Sequence, residues 1–146
     1  MERKPPRRTR ERILELSLRL FNDFGEPNVN TTLIAEEMNI SPGNLYYHFK
    51  NKDDIINCIF QQFEREIDKL LAVPQDRQAN VEDAWLFLHV LFELVWKYRF
   101  FYRDLNNLLA NNRTLEVKFK QLLGQKVKVA KALCEGLQKA GELSAS

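Results

Sequence analysis

The sequence predicts an all-α protein: an N-terminal three-helix unit containing a helix-turn-helix, a long fourth helix, and a C-terminal helical bundle. Three observations carry this. Only 5 glycines and 5 prolines occur among 146 residues, too few for the turns of an all-β chain. Apolar residues recur at three- and four-residue spacing along most of the chain, with no alternating strand pattern and no internal repeat. Helix start and stop residues stand at the edges of those periodic stretches.

Residues 1–8 are rich in Pro and Arg and read as a disordered basic arm. A first helix follows Thr9, with Ile13, Leu14, Leu16, Leu20, Phe21 and Phe24 as its apolar positions. Gly25 and then Pro27 stop it. A second helix starts near Thr31 or Thr32 and runs to Met38. Asn39-Ile40-Ser41-Pro42 follows: Asn tolerates the left-handed conformation, Ser is a strong N-cap and Pro suits the first helical position. That is a turn of three to four residues between two short helices, the spacing of a helix-turn-helix. The third helix runs from Pro42 to about Phe49.

Asn51 caps a fourth helix, and Asp53 and Asp54 sit in its first turn, where the helix dipole favours them. Its stripe is Ile56, Ile59, Phe60, Phe63, Ile67, Leu70 and Leu71. It reaches Ala72, about 22 residues or roughly 33 Å, and Pro74 stops it. Residues 75–80 form a polar connection. A fifth helix, about 81–97, is apolar nearly all round and is expected inside the bundle. A short aromatic segment runs from Tyr98 to Leu109, and Asn111-Asn112-Arg113 reads as a turn. The last helix covers about 114–140, with Leu115, Phe119, Leu122, Leu123, Ala130, Leu133 and Leu137 as its stripe and Gly141 as its stop. The domain reading is therefore 1–8 arm, 9–50 helix-turn-helix, 51–73 connecting helix and 74–146 partial bundle.

Composition narrows the function. The chain is 45% hydrophobic and 29% charged, with a net charge of +2. Residues 1–12 hold six basic and two acidic side chains, while residues 13–73 hold five basic and ten acidic. The positive charge is thus concentrated in the terminal arm. Cys58 and Cys134 show no CxxC spacing and read as free thiols of a reducing compartment. The most apolar run, Ala84 to Trp96, is broken by His89 and Glu93 and falls short of the roughly 20 residues a bilayer span needs. With no apolar leader at the start, the expectation is a soluble cytoplasmic protein without membrane contact. Two histidines, no metal-ligand spacing, no Gly-rich phosphate loop and no Ser/His/Asp grouping argue against an enzyme, a metal site or a cofactor.

The third helix carries the most specific chemistry. A helix this short needs a scaffold on one face, and Leu45 and Phe49, four apart, supply it. Gly43, Asn44, Tyr46, Tyr47 and His48 are left facing solvent or a partner. Phenol and imidazole groups can bond phosphate oxygens and pack on sugars and thymine methyls, and Asn can pair bidentately with adenine. Gly43 allows close approach of backbone to bases. Lys52, beside the free N–H groups of the fourth helix, suits a phosphate, and the hydroxyls of Thr31 and Thr32 suit the same task. Each has a plainer reading: a tyrosine half-buried against the first helix, His48 bracing the turn, Asn44 and Lys52 merely solvated.

The stretch T-T-L-I-A-E-E-M-N-I-S-P-G-N-L-Y-Y-H-F-K-N-K-D-D-I closely resembles the DNA-binding signature of the TetR family of bacterial transcriptional regulators. R-E-R-I-L-E-L-S-L-R-L-F-N-D-F-G resembles that family's first helix, and the likeness covers about residues 9–71. The less specific W-K-Y-R-F-F-Y-R-D-L, residues 96–105, resembles one subgroup. The resemblance implies a homodimer on a palindromic double-stranded operator, repression by occlusion, and release by a small ligand in the C-terminal domain. It implies DNA contacts from Thr31, Thr32, Pro42, Gly43, Asn44, Tyr46, Tyr47, His48 and Lys52. Members of the family continue with two further long helices that form the dimer interface. This sequence stops at Ser146, which reads as a truncation of that pattern and leaves dimerisation through the usual surface open.

In the second half, His89 and Glu93 lie four apart on an apolar helix. One reading makes them polar anchors of a pocket for a small hydrophobic effector, lined by Trp85, Phe92, Trp96 and Phe100. The other is an ion pair on the helix surface or a structural pair facing the fourth helix. The six basic residues between Arg113 and Lys131 read as a solvated face. The N-terminal arm is either a minor-groove or backbone contact or a solubilising tail. A helical adaptor that offers its exposed tyrosines to a protein partner is the competing function.

Overall fold

A computed structural model describes residues 6–72 and 80–139. Among them all regular structure is helical: α1 (Pro6–Phe24), a 3-10 turn (Glu26–Asn28), α2 (Thr31–Met38), α3 (Pro42–His48), α4 (Lys52–Leu71), α5 (Val81–Lys97), α6 (Arg99–Arg103), α7 (Leu105–Asn111) and α8 (Arg113–Lys139). The expected arm residues 1–5, Pro74, the connection 75–79 and Gly141 lie outside the described residues, as do the side chains of Leu133 and Leu137.

Local chemistry explains the boundaries. α1 starts at Pro6, earlier than the position after Thr9, because proline fits a helix's first turn without losing a needed donor. It ends where Gly25 takes φ 86°, and the Gly25 N–H returns to the Phe21 carbonyl at 3.0 Å. Asn30 caps α2 by accepting from Leu33 N at 2.8 Å, and the helix begins at Thr31, where the sequence reading expected it. Asn39 adopts the left-handed conformation, φ 56°. The next N–H, Ile40, then reaches back to the Ala35 carbonyl at 3.1 Å and closes the turn. Ser41 accepts from Asn44 N at 3.1 Å and Asn51 from Asp54 N at 2.9 Å, starting α3 and α4. Asn80 and Asp83 form a reciprocal capping box at α5.

The core is continuous from head to bundle. Ile13, Phe21, Ile34, Leu45, Ile55 and Ile59 fill the head. Phe60, Phe63, Tyr98, Phe100 and Phe101 fill the bundle side. Phe21 meets Phe100 at 5.2 Å between ring centroids, and Phe60 meets Phe101 edge-on at 5.5 Å. Three expected core positions differ. Phe24 is 55% exposed, because α1 ends before anything covers its last turn. On α8, Leu115 and Leu122 are buried and Phe119 packs against them, but Leu123 and Ala130 face out.

The aromatic segment after α5 is two short helices. Asn22, buried on α1, explains the break between α5 and α6. Its Nδ2 donates to the Lys97 carbonyl at 2.8 Å, and its Oδ1 accepts from Phe100 N at 3.1 Å. One side chain thus satisfies the backbone on both sides of the bend at Tyr98. α5 itself departs from expectation. Of its side chains only Leu94 is fully buried, while Val81, Trp85, Leu88, Phe92 and Trp96 form an exposed stripe opposite the face that meets α4. An all-round apolar pattern signals two faces needing cover, and α4 covers one. No described helix is long and apolar enough to cross a membrane, and the described residues hold no metal-ligating cluster.

Candidate nucleic-acid interface

α3 is held from below by Leu45 and Phe49, 1% and 3% exposed. Ser41, Pro42, Gly43 and Asn44 stand at its open N-terminal end, all exposed. A Cβ built on Gly43 would meet only the Ser41 hydroxyl, at 4.0 Å. Nothing inside the chain therefore requires a bare backbone there. Tyr46 and Tyr47 point outward, 52% and 85% exposed. The reading of these tyrosines as half-buried against α1 does not describe them.

Thr31, half-buried at the start of α2, has its hydroxyl 3.4 Å from Tyr46 OH, and Thr32 beside it is exposed. His48 is half-buried at the end of α3 and meets the Tyr47 ring edge-on at 5.2 Å. Thr31 and Tyr46 thus bring the start of α2 against α3, on which Pro42, Gly43, Asn44 and Tyr47 are also exposed and His48 is half-buried.

Lys52 is placed differently. Its Nζ pairs with Glu26 Oε1 at 2.7 Å and donates to the carbonyls of Glu26 at 3.0 Å and Val29 at 2.9 Å. An ammonium has three protons, and these acceptors engage them all. The Glu26 side chain is 8% exposed. Lys52 therefore ties the start of α4 to the turn before α2, and its charge is turned inward. Sequence spacing could not show this, because the partner lies 26 residues earlier. Lys50, in the turn between α3 and α4, is exposed.

The turn at Glu26 is a junction. Its N–H donates to Asp104 Oδ2 at 3.0 Å, linking head to bundle. Arg99 adds a bond to Asp23 at 3.3 Å and stacks over Trp96 at 4.4 Å. Beside this junction Asn112 caps α8 and donates to Asn57 Oδ1 at 3.0 Å.

The residues expected to line an effector pocket are not gathered. His89 and Glu93 form a surface pair, 3.2 Å apart and each 69% exposed. Trp85, Phe92 and Trp96 lie on the exposed stripe, whereas Phe100 is fully buried in the aromatic core. The surface-pair reading describes His89 and Glu93, because among the described residues no further helix covers α5 there. A groove of about 490 Å³ instead separates α4 and α5, with Leu70, Val90 and Leu94 as floor and Glu66, Lys69, Glu93 and Lys97 as rim. Lys97 and Glu66 pair across it at 2.6 Å, and Tyr98 OH donates to the same carboxylate at 3.2 Å. Burial and the neighbouring Glu66 push the Tyr98 phenol far above its ordinary range, so it stays a donor. Between α4 and α8, one oxygen of Glu64 is buried without a hydrogen-bond partner. Burial raises that carboxyl above its ordinary value, against the pull of Lys118 and Lys126.

The chain matches known proteins from residue 13 onward. The family model for bacterial regulatory proteins of the tetR family matches residues 13–59. A second TetR model, described as a bacterial transcriptional repressor, matches residues 62–146. An HTH-type transcriptional regulator of Staphylococcus aureus is 32% identical over 95 residues, covering 62% of this chain and 50% of that protein. A solved TetR-family regulator from Marinobacter aquaeolei VT8 is 44% identical with a TM-score of 0.87, covering 91% of this chain and 66% of that one. The fatty acid degradation regulator FadR from Bacillus halodurans shares the fold, at 18% identity and a TM-score of 0.65, over 98% of this chain and 76% of that one. The chain spans about half the length of the curated relatives it matches.

Proposed function

This chain belongs to the TetR family of bacterial regulatory proteins, and from that premise we propose that it is a sequence-specific DNA-binding transcriptional regulator that reads the major groove with α3. One observation carries the reading. α3 buries only the face it needs for attachment and presents Pro42, Gly43, Asn44, Tyr46 and Tyr47 uncovered. In a helix-turn-helix the N-terminal end of the second helix meets base edges. Asn44 is the base-reading side chain, and Gly43 lets the backbone approach. Tyr46, Tyr47, His48, Thr31 and Thr32 contact sugar and phosphate. Lys50 takes the phosphate role that spacing had assigned to Lys52, whose ammonium is engaged internally. The direct test replaces Asn44 with Ala and repeats selection from a randomised duplex library. Preference is expected to relax at one base pair; an equal loss on every sequence would reject base reading by Asn44.

Repression of a palindromic operator by a homodimer, relieved by a small hydrophobic effector, completes the proposal. The exposed stripe of α5 supports an assembly larger than the described helices, since apolar patches of this kind mark contact surfaces. The groove between α4 and α5 supports an effector site, for its volume falls within the range of roughly 300–1,000 Å³ of ligand pockets. Of the sequence-predicted pocket residues only Glu93 lines it. α4 then joins effector to DNA, being pinned to the head by Lys52 and bordering the groove through Glu66 and Leu70. An effector acts only through different affinity for two arrangements of α4. A thermal-shift screen with hydrophobic ligands tests this; hits that survive Leu94→Glu would move the site elsewhere.

A further inference from the structure

We infer that Arg10 is a positioning residue that sets the angle at which α3 meets DNA. The inference rests on α3 being the reading helix, as proposed above. α3 has seven residues and two buried hydrophobic anchors, Leu45 within it and Phe49 at its extended C-cap. Anchors along a line fix where a helix sits but resist rocking about that line poorly. At one flank the restraint is the 3.4 Å approach of Thr31 to Tyr46, near the outer limit for a hydrogen bond.

Arg10 supplies the restraint at the other end. Its Nη1 donates to the His48 carbonyl at 3.0 Å, and its Nη2 donates to Cys58 Sγ on α4 at 3.3 Å. Its guanidinium lies 4.4 Å from the centre of the Phe49 ring, in cation–π range. The His48 carbonyl belongs to the last turn of α3, where carbonyls have no partner within the helix. A guanidinium serves two acceptors at fixed angles, which a single ammonium cannot do. Arg10 therefore fastens the end of α3 to α1 and α4 together, while its own side chain touches none of the base-facing residues. Its position in the sequence showed only one more positive charge after the arm.

The test measures anisotropy over a salt series with two probes. One is the duplex the wild-type chain enriches from a randomised library; the other is a scrambled duplex of the same length and composition. For Arg10→Met the affinity ratio between the two is expected to fall about tenfold with the salt slope kept. An equal loss on both duplexes, with the slope reduced by about one, would make Arg10 a phosphate contact and overturn the inference. An unchanged ratio would overturn it too. Arg10→Lys keeps charge and stem but serves one acceptor, so its ratio is expected to fall in the same direction. It decides the matter if Arg10→Met fails to fold, an unchanged ratio again counting against the inference. Asn44→Ala combined with Tyr47→Ala separates the two ideas. If it leaves the ratio intact, α3 is not the reader and both fall; if it lowers the ratio and the Arg10 variants do not, only the positioning role falls.

Discussion

Lys52 shows how a residue's type can be read correctly and its task wrongly. A lysine at the start of a helix beside a helix-turn-helix suits a phosphate, yet here it neutralises the nearly buried Glu26 and holds two carbonyls of the preceding turn. Lys52→Met leaves that carboxylate unpaired and is expected to cost about 2–3 kcal/mol, measured by urea unfolding. A phosphate lysine would instead be neutral for stability and lower the salt slope of DNA binding by about one. Ser41, Asn44 and Asn51 were legible because capping and exposure are decided within three or four residues. Lys52, Arg10 and Asn22 were not, since each finds its partners 23 to 78 residues away.

Among the elements, the first five helices were readable from local rules. α6 and α7 were not, because the bend that separates α6 from α5 is held by Asn22 on α1. Asn22→Ala leaves the Lys97 carbonyl and the Phe100 N–H without that partner and is expected to cost about 2 kcal/mol. It should also speed hydrogen exchange at the Phe100 amide; unchanged protection there would show the bend is held by packing alone. The α4–α8 contact carries a pH dependence. The carboxyl of Glu64 is raised from 4.5 by burial, so the folded state holds that proton more tightly than the unfolded chain. Stability from this group is full below the unfolded value and is lost as pH rises through the folded value. Glu64→Gln is therefore expected to raise Tm at pH 7.5, by roughly 1–3 °C, and to have little effect near pH 4. A stabilisation that grows at low pH would contradict this.

At the scale of the molecule, the head is anchored to the bundle through Asn22, Glu26 and the Phe21–Phe100 contact, whereas the outer face of α5 lacks cover among the described residues. Composition showed that α5 needed burial on all sides, but could not show that only one side receives it from the described helices. The stripe of Val81, Trp85, Leu88, Phe92 and Trp96 is expected to drive self-association. Sedimentation velocity should show species larger than the monomer for the wild-type chain and a shift toward monomer for Trp85→Ser with Phe92→Ser. Identical monomeric profiles for both would remove α5 from any contact surface. The central claim is that the uncovered face of α3 reads DNA, and its most direct test is competition anisotropy with the selected duplex against its scrambled counterpart. Wild-type chain is expected to prefer the selected duplex by at least about 10³-fold at physiological salt, with both affinities falling as salt rises, and Tyr47→Ala with Asn44→Ala should remove most of that preference without changing Tm. Equal affinity of the wild-type chain for the two duplexes, or a preference that survives both substitutions, would contradict it.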